Sequence, residues 1–579
     1  MAHGAMVTSV DGGRVLANIS AKEASVQYCE MKQAAKCTAR NLALLLVLSG
    51  VFRNDFAAAA QFAVYFPLAG ETSGRVKTVA AAVPPSSDLI AAQHFAPWQE
   101  YCDAWRRHHA EPANQAVQKQ LGISSGQGAV SVSSGRSTAV AMRLPLTDMR
   151  RVETEHFILL SDAGVDRCSE VLHDLERFYL IWTQLFFPLW KDQERWDRAA
   201  VSNQPPATLK HRVILFANSA RYADVLRDVA PAIARSSGFY SDLKRITFFH
   251  DGNRDDSATR YHEITHQLMS EATYAKPRLR PGEHRDFWLV EGIACYMESA
   301  IFHEDHATVG GWESARLQYA RQRVLGLDDQ LTMDLLAGEG RAAVQQRQDL
   351  SRWYSFAAAY THQLAEQHEG SGWISVLQRL ARVYQVKTPF FAVDRESPLP
   401  RESLAQFLQL SDQQISPVFH DRLQELCLTR TQLTGRGLEK ISPQRALKWL
   451  DCSFLPVGTA EVIRLSPHSA TIEQLSLEAT AIDNSIGQWL SGASVLRELD
   501  LSSCAIGDRV IATLPRSAPI QTLWLTASGV SDASIDTIAG FTTLQRVDVQ
   551  KSAVTDAGLA RLRALRSDLQ INPLEIASP

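Results

Sequence analysis

The chain has 579 residues, which at about 150 residues per domain corresponds to roughly four domain-sized units. Charged residues make up 21%, hydrophobic residues 45%, and the formal net charge is −4 at pH 7. This composition excludes a collagen, a wholly disordered chain and a disulfide-packed miniprotein. It also lacks the overall basic charge that attracts a protein to nucleic acid, so we expect no nucleic-acid partner.

The N-terminus has the features of an export signal. An apolar run of eleven residues, 42–52, is followed by four alanines at 57–60 that suit a cleavage site. Three basic residues precede the run, namely Lys32, Lys36 and Arg40. A bilayer-spanning helix needs about 20 apolar residues, so the run fits the core of a signal peptide better. We predict a removable signal over residues 1–60, with Met31 as the true start; the alternative is a buried core helix.

This signal predicts where the mature protein works. We expect a periplasmic, cell-envelope or extracellular protein, with no transmembrane anchor after cleavage. Residues 61–149 are predicted to be a partly helical segment that ends in a Gly/Ser-rich linker over 122–137.

The next unit, residues 150–426, begins with strands and continues with helices. Short strands are predicted at 156–160 and 212–216, with a hairpin formed by 238–240 and 245–249. Apolar residues recur every three or four positions from Val165 to Phe186, which predicts an amphipathic helix. Residues 258–426 have an almost wholly helical pattern, so the unit is predicted to be an α+β domain with a small sheet and a helical half.

The C-terminal residues, 471–579, repeat every 24 positions. Four apolar columns share this spacing: Leu475, Leu499, Leu523 and Val547; Leu477, Leu501, Leu525 and Val549; Ile482, Ile506, Val530 and Val554; and Leu490, Leu514, Ile538 and Leu562. The unit resembles the leucine-rich repeat, which implies a short α/β solenoid of stacked strands and helical returns that can bind a protein partner. We count four clear repeats and a degenerate fifth at 569–571, and predict that 427–470 is a connector.

One pattern in the helical half suggests metal chemistry. It is His262-Glu263-Ile264-Thr265-His266, of the form H-E-x-x-H. Residues four apart on a helix differ by about 40° after a full turn, so the two histidines share a face. Glu263 lies about 100° from His262, from where it can reach a water on a bound ion. The pattern favours two zinc ligands and a general base; the alternative is a solvated helix with two surface histidines.

A third ligand type stands downstream. Glu291 begins the sequence Glu-Gly-Ile-Ala on an apolar segment, where burying a carboxylate is costly unless it has a partner such as a metal ion. H-E-x-x-H followed by E-G-x-A resembles the gluzincin metallopeptidases, and residues 156–178 resemble the start of the peptidase-MA-like family of exported bacterial proteins. The resemblance covers roughly residues 150–385. It implies a gluzincin-like domain with one Zn²⁺ per chain, held by His262, His266 and Glu291.

The resemblance also implies peptide hydrolysis. Zinc lowers the pKa of a bound water towards about 7, and Glu263 takes the proton as that water attacks the peptide carbonyl. In aminopeptidase-like gluzincins a tyrosine in a Y-x-K-G-A context stabilises the oxyanion. Tyr354 has a similar context, although Phe and Ala replace the Lys and Gly, and Tyr360 is the alternative donor; both could instead be core aromatics. The family also implies an edge strand that holds an extended substrate, for which 245–249 is the candidate.

Two functions therefore stand side by side. The first is an exported zinc metallopeptidase acting on a peptide or protein substrate, whose repeats recruit that substrate or a partner. The second is an inactive, metallopeptidase-like scaffold that binds proteins through its repeats. Glu298, seven residues after Glu291, is either a support for a ligating histidine or a buried polar group with a local partner.

Overall fold

The structure is a computed structural model that describes residues 62–65, 92–121, 130–191, 210–227, 236–251, 257–273, 275, 280–302, 306–312, 314–366, 371–388, 390, 402–415, 424–441, 447–465 and 468–572. The predicted signal, residues 1–60, lies outside these ranges. Apart from residues 222–236, the described elements belong to one compact unit. Within the described ranges, no helix has the length and apolar character needed to cross a membrane.

A six-stranded mixed sheet forms the first part of the unit. Its strands are β2 (Ser131–Ser134), β3 (Arg150–Glu153), β4 (Phe157–Ser161), β5 (His211–Phe216), β6 (Gly238–Ser241) and β7 (Ile246–His250), in the order β2-β3-β4-β5-β7-β6. Strands β4, β5 and β7 are parallel, whereas β2, β3 and β6 run antiparallel to their neighbours. The strands predicted at 156–160 and 212–216 and the hairpin are confirmed.

Two details of this sheet differ from the prediction. The candidate edge strand 245–249 is wrong, because β7 lies between β5 and β6 and the edge is β6. The predicted linker also contains β2, which pairs with β3 from Ser131 to Ser134. All four residues of β2 are exposed, so backbone hydrogen bonds hold this edge strand and no apolar alternation marks it in the sequence.

Helices pack against the sheet, and helices predominate over strands in the described segments between residues 257 and 415. They are α1 (Ala92–Ala110), α2 (Gln115–Leu121), α3 (Arg136–Ala141), α4 (Val165–Leu185), α5 (Ser219–Arg227), α6 (Ser257–Glu271), α7 (Phe287–Met297), α8 (Ala315–Arg321), α9 (Met333–Gly338), α10 (Arg341–Gln345), α11 (Leu350–Glu366), α12 (Ser371–Val383) and α13 (Leu404–Phe407). A 3₁₀ turn follows α4 at Phe187–Leu189, and a π turn follows α8 at Gln322–Gly326. The predicted amphipathic helix is α4, which buries Leu172, Leu175 and Trp182 on one face.

Within its described residues, the helical half also contains a short hairpin and a fully buried helix. Strands β8 (Ile301–Phe302) and β9 (His306–Val309) form a hairpin there, and β9 also pairs with β1 (Phe62–Tyr65). Every residue of α7 is buried. A helix that is apolar on all sides belongs in the centre of a domain, and α7 accordingly packs between α6, α11 and α12.

The C-terminal part is a solenoid with a seven-stranded parallel sheet. Its strands are β10 (Glu425–Cys427), β11 (Trp449–Asp451), β12 (Gln474–Ser476), β13 (Glu498–Asp500), β14 (Thr522–Trp524), β15 (Arg546–Asp548) and β16 (Gln570–Asn572). Helical returns α14 (Gly435–Ile441), α15 (Thr459–Ile463), α16 (Ile486–Leu490), α17 (Asp508–Thr513), α18 (Ile535–Ala539), which follows a 3₁₀ turn at Asp532–Ser534, and α19 (Asp556–Leu565) connect them. The central residue of each strand is buried and stacks in register on the next.

The solenoid begins earlier than predicted. Residues 427–470, predicted as a connector, contain the end of β10, all of β11 and the helices α14 and α15. Leu426 pairs with Leu450, and Leu450 pairs with Leu475. The second of these intervals is 25 residues, so the first two strands fall outside the strict 24-residue columns.

Side-chain hydrogen bonds join successive repeats at the start of each helical return. The carboxylate of Asp508 accepts bonds from the backbone N–H of Ser531 at 2.9 Å and from its hydroxyl at 2.6 Å. Asp532 accepts the same pair from Thr555, at 2.8 and 2.6 Å. These bonds satisfy backbone donors between repeats that no helix or strand satisfies.

Candidate metal centre

Helix α6 presents His262 and His266 on one face, as their spacing predicts. The opposite face is fixed by packing: Tyr261 stacks on Phe178 of α4 with ring centroids 4.7 Å apart, and Ile264 is fully buried. The Nε2 atoms of the two histidines lie 3.2 Å apart. The helix therefore holds two imidazole nitrogens close enough to bind a single ion, and His262 is only 9% exposed.

Glu291 of α7 completes a group of three donors. Its Oε2 lies 3.4 Å from Nε2 of His262 and 3.4 Å from Nε2 of His266. A tetrahedral zinc ion with bonds of about 2.0–2.2 Å separates neighbouring ligand atoms by about 3.3–3.6 Å. The three separations match that spacing, and two imidazoles with one carboxylate are donors that zinc accepts, so these residues fit a zinc ion.

The electrostatics of Glu291 and His262 agree with this fit. Burial opposes the charge on Glu291, but the charge of His266 and hydrogen bonds from both histidines outweigh it and lower the pKa of Glu291. Burial lowers the pKa of His262, but hydrogen bonds with Cys295 and with two carboxylates raise it well above its ordinary value. A bound cation would replace the proton on His262, because imidazole binds a metal through an unprotonated nitrogen.

The other ring nitrogen of His262 has its own partner. Nδ1 lies 2.7 Å from Oε1 of Glu298, which follows α7, and 4.0 Å from Sγ of Cys295. Arg316 of α8 donates to both oxygens of Glu298, from Nε at 2.8 Å and from Nη2 at 2.9 Å. Glu298 thus supports a histidine of the donor group, which resolves the alternative left open by the sequence.

The charge of Glu298 is fixed by these contacts. Burial raises its pKa, but the charge of Arg316 and the hydrogen bond with His262 outweigh burial and bring it to about 2. Cys295 and Glu298 also lie close enough to His262 to form a second potential ligand set. Because Arg316 already neutralises Glu298, this set serves the first one as support.

Glu263 lies on the same helix between the two histidines. Its Oε2 accepts a hydrogen bond of 2.8 Å from the backbone N–H of Tyr240, on the edge strand β6. The side chain is half-buried. The predicted base is thus tied to the edge strand, a contact that the sequence does not reveal.

The two candidate tyrosines have different surroundings. Burial, followed by the negative charges of Glu291 and Glu263, raises the pKa of Tyr354 well above its ordinary value, so its hydroxyl stays protonated close to the donor group. The Cζ atom of Arg316 lies 5.8 Å from the centroid of the Tyr354 ring. Tyr360 instead donates its hydroxyl to the carbonyl of Leu331 at 3.1 Å. The structure therefore brings Tyr354, and not Tyr360, towards the predicted site.

Comparisons with known proteins concern the repeats. A family model described as leucine-rich repeat matches residues 493–509. Internalin C2 of Listeria monocytogenes is 20% identical, with 26% of this chain and 71% of that chain covered and a TM-score of 0.21. A leucine-rich-repeat protein of Leptospira interrogans is 18% identical, with 26% of this chain and 48% of that chain covered and a TM-score of 0.19. No curated protein matches the chain significantly.

The C-terminal part is a leucine-rich repeat array. The match at 493–509 covers β13 and the beginning of α17, which is one strand and the start of its helical return. It lies outside the residues of the donor group.

Proposed function

We propose that the chain is an exported zinc-dependent metallopeptidase whose leucine-rich repeats bind its protein substrate or a partner. One observation carries the enzymatic half of the proposal. The donor atoms of His262, His266 and Glu291 lie 3.2–3.4 Å from one another, and Glu263 lies on the helix that carries the two histidines. Export is predicted from residues 1–60 and is part of the proposal.

Each residue of the site has a separate role in this proposal. His262, His266 and Glu291 would hold zinc, which when bound supplies a Lewis acid that polarises the peptide carbonyl and makes a water more acidic. Glu263 receives the proton of that water and passes it to the leaving nitrogen. The hydrogen bond from the N–H of Tyr240 holds one oxygen of Glu263 in place for this transfer.

Tyr354 is proposed as the donor to the oxyanion. Its raised pKa keeps the hydroxyl protonated at neutral pH, and a protonated hydroxyl can donate to a developing negative charge. Loss of a comparable single donor from an oxyanion site costs about 100- to 1,000-fold in kcat.

The alternative function is an inactive scaffold that binds proteins through its repeats. The family match at 493–509 favours it, because that match concerns the repeat array alone. Solenoids of this kind use an extended surface built from many repeats to bind other proteins. Both functions share this binding role and differ in whether Glu263 acts as a base.

The test measures zinc content and peptide hydrolysis for the wild type, Glu263→Gln and Glu170→Gln. Glu170 gives a matched control because it is an exposed glutamate on α4 whose carboxylate pairs with Arg167 on the same helix. If the chain is an enzyme, all three proteins bind one zinc, and only Glu263→Gln loses hydrolysis of a broad peptide library. Zinc in the wild type without hydrolysis supports the scaffold, and no zinc contradicts the site assignment.

A further inference from the structure

Helix α8 contacts both Glu298, which is bonded to His262 of the donor group, and the first strand of the solenoid. Arg316 extends from α8 to Glu298, and Glu298 holds Nδ1 of His262. We infer that Arg316 is a positioning residue for the metal centre and that the leucine-rich repeat array in turn positions Arg316. This inference rests on the proposed function, because it assumes that His262 ligates zinc.

The contact between Arg316 and Glu298 has the geometry that orients a carboxylate best. Two parallel bonds, Nε to Oε2 at 2.8 Å and Nη2 to Oε1 at 2.9 Å, fix both oxygens in one plane. With Glu298 held, its bond of 2.7 Å to Nδ1 sets the rotation of the His262 ring and directs Nε2 towards His266 and Glu291. A lysine cannot make such a two-point contact, because its ammonium is a single charge.

The same helix closes the open edge of the solenoid sheet. The backbone N–H of Cys427 in β10 donates to Oε1 of Gln318 at 3.0 Å, and its carbonyl accepts from Nη1 of Arg321 at 3.1 Å. Gln318 is fully buried and Arg321 is 1% exposed. An edge strand with unpaired backbone groups needs such a cover, and a solenoid needs a cap at its end. Helix α8 supplies both through Gln318 and Arg321.

A second contact lies on the exposed side of the junction, by which we mean the contact of α8 with strands β10 and β11. The Tyr319 ring stacks on Trp449 of β11 with centroids 5.3 Å apart, and its hydroxyl donates to Oε1 of Glu425 in β10 at 2.6 Å. Burial raises the pKa of Glu425, while the Tyr319 hydroxyl and the charge of Arg316 oppose that shift. Arg316 therefore lies within electrostatic reach of the solenoid strand as well as of the donor group.

These contacts form one continuous route from repeat to histidine. Strands β10 and β11 hold α8 through Gln318, Tyr319 and Arg321, and α8 holds Glu298 through Arg316. A shift of α8 on the solenoid changes the direction of the His262 ring. The repeats are therefore part of the metal centre's support, in addition to any partner that they bind.

The experiment uses the full chain with Arg316→Lys, Tyr319→Phe and Arg347→Lys. Arg347 is the matched control, because it makes an equivalent two-point contact with Asp349, both bonds being 2.8 Å, and its contacts are outside the donor group. Zinc affinity is measured by competition with a chromogenic chelator. The visible absorption of the Co²⁺-substituted protein reports the geometry of the ligands, which loss of stability alone does not alter.

We expect Arg316→Lys to weaken zinc binding by about 10-fold or more, within the range of about 10- to 100-fold found when a ligand's supporting residue is changed. Its Co²⁺ spectrum should also change. Tyr319→Phe should weaken zinc binding in the same direction and by less, because the ring still stacks on Trp449. Arg347→Lys should lower the melting temperature without altering zinc affinity or spectrum.

Three results would overturn all or part of the inference, and they can be told apart. If the wild type binds zinc and hydrolyses peptide, while Arg316→Lys has the zinc affinity and Co²⁺ spectrum of Arg347→Lys, only the positioning role fails. If the wild type binds no zinc, the proposed function fails together with this inference. An unchanged zinc affinity in Tyr319→Phe, combined with a weaker one in Arg316→Lys, overturns the part assigned to the solenoid.

Discussion

Gly292 lies where α7 packs closely against α11, so its replacement by alanine tests how tightly the third ligand is held. A Cβ atom at Gly292 would stand 2.1 Å from Oγ1 of Thr361 and 2.7 Å from the backbone carbonyl of Ala357. Neither neighbour can easily withdraw. The Thr361 hydroxyl already donates a hydrogen bond of 2.9 Å to the Ala357 carbonyl, and that carbonyl belongs to the α11 backbone. The two helices must therefore separate to admit the methyl group.

The magnitude follows from two opposed effects. Adding a methyl group to a packed interior costs about 1–3 kcal/mol, and a clash with backbone places this site in the upper part of that range. Alanine is better than glycine inside a helix by about 1 kcal/mol. We therefore expect Gly292→Ala to lower the free energy of unfolding by about 1–2 kcal/mol. Because Gly292 follows Glu291, zinc affinity should fall as well.

Urea unfolding gives the change in stability, and chelator competition gives the change in zinc affinity. Gly338→Ala is the control, since Gly338 also lies in a helix and a Cβ there meets nothing within 4 Å. The control should be neutral or slightly more stable than the wild type. A Gly292→Ala protein with wild-type stability and zinc affinity would refute the reasoning, because it would mean that the helices are not in close contact at this point.

Two further predictions concern the repeats and the sheet. Leu499→Ala should lower the free energy of unfolding by about 2–5 kcal/mol, because Leu499 is fully buried between Leu475 and Leu523. Urea unfolding of Val495→Ala, a change at an exposed position, gives the comparison. Equal losses of unfolding free energy in the two variants would contradict the stacked core. Burial raises the pKa of Glu176, but its bonds with His156 outweigh burial and lower it. A carboxyl group with a lowered pKa stabilises the fold at pH values above its unfolded pKa of about 4.3. That stabilisation is lost as the pH falls through the folded pKa. The stability advantage of the wild type over Glu176→Gln, measured with a chelator present, should therefore shrink from pH 7 to pH 3, and a constant advantage would contradict it.

Local patterns predicted the parts of the site that depend on a single helix. The four-residue spacing of His262 and His266 is sufficient to bring their rings together, because helix geometry alone sets it. Glu291 was inferred from a family resemblance and from the cost of burying a carboxylate. The spacing of Glu298 from Glu291 places it on the same helix face, but does not identify its partner. Each of these predictions used residues that are near one another in sequence or belong to one motif.

The contacts between distant segments could not be predicted in this way. Arg316 is 54 residues after His262, and the Tyr240 N–H that holds Glu263 is a backbone group that no residue type marks. Strand β2 was predicted as linker because its side chains are all exposed, and β11 was predicted as connector because of a single added residue. In each case the deciding interaction is a tertiary contact or a backbone bond.

The side-chain bonds between repeats also determine how the array can change in length. Asp508 receives its bonds from Ser531, 23 residues ahead and in the next repeat, and Asp532 receives the same bonds from Thr555, also 23 residues ahead. Because one junction copies the next, a whole unit can be lost or duplicated while every remaining junction keeps its partner. Such an event would shift the far end of the array by about 4.8 Å, the distance between neighbouring strands, and leave the junction at α8 unaltered. The reach of the solenoid and the geometry of the metal centre can therefore evolve independently.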